Sequence, residues 1–77
     1  MPTTDFELRG EHITLDAVLK ACGLASSGGA AKVLISDGSA FVNGEVETRR
    51  GRKLRAGDEV RVGEAGIRIT AAPNAGP

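Results

Sequence analysis

Tryptophan and tyrosine are absent from the 77-residue chain, and Phe6 and Phe41 are its only aromatic residues. Proteins that hold single-stranded nucleic acid without sequence preference stack bases on several aromatic side chains, and this chain has no such platform to offer. Cys22 is the only cysteine, so neither an internal disulfide nor a cysteine cluster for zinc can form. His12 is the only histidine, and beside Glu11 it reads as a surface residue rather than a general base. No run of apolar residues approaches the roughly 20 that a membrane helix requires. Met1 to Asp5 shows no basic start followed by an apolar stretch, so a secretory signal is not expected and the cytoplasm is. Walker and dinucleotide-binding glycine patterns are also missing. An enzyme is not expected, and neither a cofactor nor a metal is implied.

The formal net charge is zero, which argues against a generic polycation, but distribution decides more than the sum. Residues 1–38 hold three Lys/Arg against five Asp/Glu, whereas residues 39–77 hold seven against five. Five of those seven, Arg49, Arg50, Arg52, Lys53 and Arg55, fall in a seven-residue window without an acid. Guanidinium groups make forked hydrogen bonds to phosphate oxygens, and Gly51 lets the backbone approach closely. A charge run is equally compatible with a solvated loop, its arginines paired with Glu45, Glu47, Asp58 or Glu59.

Hydrophobic spacing gives the elements. Thr4 to Arg9 alternates as a strand, with Phe6 and Leu8 on one side. Leu15, Val18, Leu19 and Cys22 recur at helical spacing after Thr14 as N-cap, with Asp16 in the first turn and Gly23 at the end. Cys22 is thereby read as packing. A second helix is expected from Ser27 as N-cap to Gly38, burying Ala31, Leu34 and Ile35. Asn43-Gly44 is a strong turn signal after Ala40-Phe41-Val42, and Glu45 to Thr48 would continue as strand. Val60 and Val62, then Ile67 and Ile69, read as a hairpin across Gly63 to Gly66. Phe41 lies on the opposite strand face from Ala40 and Val42, and is expected to pack under a neighbouring loop, the alternative being that it stacks one base. The architecture is α+β: two short helices on a small, mainly antiparallel sheet. One domain is expected over residues 1–72, with a flexible tail at 73–77.

Ser27-Gly28-Gly29-Ala30-Ala31-Lys32 offers a second candidate contact. Two glycines leave the N–H groups at the helix start open, and Lys32 stands one turn on. The plain alternative is a poorly optimised helix start, where Gly costs up to about 1 kcal/mol against Ala.

In this order, these segments resemble the S-four RNA-binding domain, or alpha-L motif. The resemblance runs through Leu15-Asp16, Val18-Leu19, Gly23-Leu24, Ser27, Ala31-Lys32, Leu34-Ile35, Gly38, Val42-Asn43-Gly44, Gly57-Asp58, Val60 and Val62. The stretch Glu45 to Arg50, with Lys53, is most similar to small stand-alone YbcJ-like members. The resemblance implies a domain whose two helices and adjoining loop grip structured RNA, often ribosomal or transfer RNA, and is compatible with ribosome association; a monomer is expected. By position it carries Ser27, Lys32, Asn43 and Arg49 to Lys53 onto or near the binding face. It departs at Gly28, where the family usually has a basic residue. A protein-interaction adaptor, using the same fold and basic loop on an acidic partner, is the alternative.

Overall fold

The computed structural model describes residues 3–71, and both the expected tail at 73–77 and the limits of the 1–72 domain fall outside that range. Strand β1 (Thr3–Leu8) is followed by the short β2 (Ile13–Thr14), α1 (Leu15–Ala21) and α2 (Gly28–Ser36). Then come β3 (Ala40–Val42), β4 (Glu45–Val46), β5 (Lys53–Leu54), β6 (Glu59–Val62) and β7 (Ala65–Ala71). Five strands form one sheet in the order β1-β7-β6-β3-β4, and β2 pairs with β5 as a separate ribbon. All pairings are antiparallel except β1 with β7, which runs parallel from Thr3 opposite Gly66 to Leu8 opposite Ala71. The α+β reading of two helices and a mainly antiparallel sheet is the fold observed.

The core is where the sequence periods meet. Leu15, Val18 and Leu19 of α1 and Ala31 and Ile35 of α2 are fully buried. They join Ala40, Val42, Val60, Ile67 and Ile69 of the sheet and Leu54 of the small ribbon. Fully burying one such aliphatic side chain contributes about 1.5–3 kcal/mol, so this cluster is the main stabilising term for so short a chain. Leu34, expected in the stripe, is only partly buried against it. Cys22 is half-buried beside the same cluster, and burial pushes its thiol pKa up, away from the reactive thiolate.

Three local expectations are corrected. Thr14 sits at the N-cap position of α1 without a side-chain cap. The Leu15 and Asp16 N–H groups instead donate to the carbonyls of Arg52 (2.9 Å) and Arg50 (3.2 Å), and Ala17 donates to Asp16 Oδ1 (2.9 Å). The strand after the Asn43-Gly44 turn stops at Val46 rather than Thr48, because Glu47 turns its carboxylate inward. Phe41 does not pack under a loop: it points away from the core, 38 % exposed, opposite Val46 and Arg61 on the neighbouring strands.

Candidate nucleic-acid interface

The basic run begins where β4 ends. The Glu47 N–H donates to Ala40 O (2.9 Å), and its side chain, 9 % exposed, becomes an acceptor for two arginines. Arg49 donates through its backbone N–H (3.1 Å), Nε (3.1 Å) and Nη2 (3.3 Å), and Arg52 through Nη1 (2.8 Å). The guanidinium of Arg49 first, then that of Arg52 and the Arg49 N–H, hold the Glu47 carboxyl down at about 2, against the opposing effect of burial. The same pairing raises the Arg49 pKa, chiefly through its hydrogen bond to Glu47.

The backbone of this loop is fixed as well. Arg52 N–H donates to Arg49 O (3.2 Å), closing a turn around Gly51. The Arg50 and Arg52 carbonyls accept from the first N–H groups of α1, which a helix otherwise leaves without partners. Immediately after, Lys53–Leu54 pairs with Ile13–Thr14, and Leu54 enters the core with no exposure. At the far side, Asp58 Oδ2 accepts the Arg55 N–H (2.9 Å). The side chains of Arg50, Lys53 and Arg55 are left exposed, and no hydrogen bond or ion pair holds them among the described residues. The basic window therefore splits: Arg49 and Arg52 are oriented by Glu47, and three cations stand clear.

The start of α2 is simpler. Ser27 is extended (φ −157°, ψ 170°), and its Oγ accepts the Ala30 N–H at 3.1 Å, so the expected N-cap is made. A Cβ built at Gly28 would meet nothing within 4 Å, and one at Gly29 would meet only Ser27 Oγ at 3.8 Å. Neither packing nor a left-handed backbone requires glycine at these two positions. Lys32 is exposed on the same helix. The two candidate segments are joined through α1, which packs on α2 and receives the basic loop at its N-terminus.

Asn43 has a different use. With φ +52°, followed by Gly44 at φ +86°, it forms the hairpin turn between β3 and β4. Its Nδ2 donates to Asp58 Oδ1 (3.1 Å), and its Oδ1 accepts the Glu59 N–H (2.9 Å). The two ends of the amide thus tie the turn to Asp58 and to the first residue of β6, a structural use that fits the residue to its place without any ligand.

Two residues central to this geometry were not singled out by sequence reasoning. Glu47 stood only among four acids that could pair with the arginines, and Leu54 was read as part of the basic run. The signal for Glu47 was its spacing, with Arg two and five positions on. Leu54 was the one apolar residue in a cationic window, which marks an anchor. His12 is exposed, no cluster of three or more His, Cys, Asp or Glu suited to a metal occurs among the described residues, and no described helix is long and apolar enough to cross a membrane.

Comparison with known proteins bears on this geometry. The family model described as the S4 domain matches residues 6–70. RlbA of Bacillus subtilis, named for ribosome maturation, is 46 % identical over 52 residues, covering 68 % of this chain and 73 % of its own. YbcJ of Escherichia coli, named for RNA binding, is 37 % identical over 60 residues, covering 78 % of this chain and 86 % of its own. The solution structure of Escherichia coli YbcJ, described as revealing an alpha-L motif involved in RNA binding, superposes with a TM-score of 0.67 at 34 % identity. That match covers 92 % of this chain and 89 % of that one.

Proposed function

The chain belongs to the S4 domain family, and from that premise we propose that it is a non-catalytic module that recognises structured RNA, of the ribosomal or transfer class. Recognition is through backbone and shape, by a monomer working in the cytoplasm in association with the ribosome. The observation that carries the proposal is the basic loop itself. It presents Arg50, Lys53 and Arg55 from a backbone locked onto the N-terminus of α1. Cations whose backbone is already ordered lose less conformational entropy when they meet phosphate than the same cations on a mobile tail. The names of RlbA and YbcJ, which concern ribosome maturation and RNA binding, support the same reading.

The scarcity of aromatic residues points to folded rather than single-stranded RNA. An A-form helix shows phosphates and 2′-hydroxyls across a wide minor groove, which suits a rigid basic loop without a stacking surface. In the same proposal Ser27, Gly28, Gly29 and Lys32 supply a second phosphate contact at the start of α2. The test is competition at matched salt between an RNA hairpin and a DNA hairpin of the same length, followed by sequencing of RNA crosslinked to the protein in cells. Preference for the RNA hairpin and enrichment of ribosomal or transfer RNA is the expected result. Equal affinity for both hairpins, with a protein partner surviving nuclease treatment, would replace this reading with the adaptor.

A further inference from the structure

We propose that Glu47 is a positioning residue for RNA recognition: by holding the guanidinium groups of Arg49 and Arg52 it makes the loop selective for an RNA backbone over other polyanions. The inference rests on the reading of the basic loop as the RNA contact.

An acid inside a cationic loop lowers the attraction for phosphate. Residues 47–55 carry five cations and this one carboxylate. Electrostatics alone would favour an uncharged residue at the position. Yet the Glu47 side chain is only 9 % exposed and accepts from Arg49 Nε, Arg49 Nη2 and Arg52 Nη1 at 2.8–3.3 Å. An arginine has five N–H donors in a fixed plane. Glu47 takes the Nε edge of Arg49, leaving both Nη1–H groups and the second Nη2–H for an outside acceptor. Arg49 remains 75 % exposed while so held, and Arg52 36 % exposed. A planar donor set held at one edge presents the rest in one orientation, which is what distinguishing one phosphate spacing from another requires. The carboxylate therefore lowers generic attraction and raises geometric selectivity.

The two effects separate in Glu47→Gln. That variant adds one net positive charge to the loop and puts an amide N–H, which cannot accept, in place of one carboxylate oxygen, so the two-point hold on Arg49 is broken and both arginines are held less firmly. Affinity for a DNA hairpin and for heparin, which reward charge alone, should rise a few-fold. Affinity for an RNA hairpin should fall or stay level, because two rotamer-rich side chains must now be ordered on binding. The ratio of RNA to DNA affinity should drop by roughly tenfold, and the slope of log affinity for the DNA hairpin against log salt should steepen by about 1. Glu47→Asp keeps the charge and withdraws the carboxylate by one methylene, so its ratio should fall less.

Circular dichroism and amide spectra establish that each variant is folded. A ratio unchanged in a folded Glu47→Gln protein, or both affinities scaled down together, would overturn the inference and leave Glu47 as a fold residue only. If Glu47→Gln does not fold, Glu47→Asp decides: a parental ratio overturns the inference, and a reduced one supports it. A parental protein that shows no preference for the RNA hairpin would overturn the functional reading itself, an outcome read before any variant is compared.

Discussion

Between Glu47 and Arg55 the backbone is tied down at several points: by the carboxylate of Glu47, by the first N–H groups of α1, by pairing with β2 and by Asp58. At the start of α2, by contrast, one side-chain hydrogen bond to Ser27 Oγ does the shaping, and two exposed glycines follow it with open space around them. Both segments offer positive charge to a polyanion. In the loop Arg49 and Arg52, which would meet RNA, also hold the fold through Glu47, so at these two positions stability and binding change together. At the helix start they can be changed apart.

The sharpest test of this contrast is Leu54→Ala. Leu54 is fully buried and fixes the end of the basic loop to the core. Its truncation should cost about 2–5 kcal/mol in urea unfolding, with loss of binding following loss of fold. No substitution among Ser27, Gly28, Gly29 and Lys32 should approach that cost. A Leu54→Ala protein destabilised by less than a side-chain hydrogen bond would mean the loop is not anchored as described.

Glu47→Ala comes next, at about 1–3 kcal/mol, because its loss removes several charge-assisted hydrogen bonds while the freed arginines can turn to water. Its pH dependence has a definite sign. The Glu47 carboxyl titrates at about 2 in the folded protein, against an ordinary value of 4.5. Over that interval the unfolded chain binds more protons, so the stabilisation is complete above about pH 4.5 and is lost as pH falls toward 2. The parental protein should lose stability across this window, and Glu47→Ala should lose distinctly less. Parallel acid profiles for the two would remove the ion cluster from the account of the loop.

How far the sequence foretold these two regions depends on the range of the interactions. Helix and strand positions followed from local spacing: the Leu15, Val18, Leu19 stripe, the Ser27 cap and the Asn43-Gly44 turn all stand as read. The Thr14 cap failed because its rival partners, the carbonyls of Arg50 and Arg52, lie more than 30 positions away and leave no mark near Thr14. The two-residue pairing of β2 with β5 was invisible for the same reason, being too short for alternation to register. In the site, the clustering of cations was legible, but their division into held and exposed was not. That division depends on which of four acids turns inward, and it is Glu47, the residue that follows the end of β4.

The division yields a smaller effect. Arg50→Ala removes an exposed cation with no internal partner, so it should flatten the salt dependence of RNA binding by about 1 unit at nearly unchanged stability. Arg49→Ala should flatten it too, but with a measurable loss of stability, because Glu47 then keeps only Arg52 and the backbone N–H of residue 49. If the two variants were alike in both measurements, the distinction between held and exposed arginines would have no energetic content.

The smallest change tests the other region. Gly29 lies in a helix with a right-handed backbone, and a methyl group there would meet only Ser27 Oγ at 3.8 Å, an ordinary contact. Gly29→Ala should therefore stabilise the protein by about 0.4–1 kcal/mol, because alanine has fewer unfolded conformations to give up. If an RNA phosphate approaches the open N–H groups, the same methyl obstructs it, and affinity should fall as the melting temperature rises. Lys32→Ala should weaken binding with little effect on melting, since an exposed lysine contributes little to folding. These opposite signs are available because no packing or strained backbone demands glycine here, so the fold gives no reason for its presence. A stabilised Gly29→Ala protein that binds RNA as tightly as the parent would confine the interface to the basic loop. A destabilised one would contradict the geometry at Ser27 itself, since nothing within contact distance of the added carbon accounts for a loss.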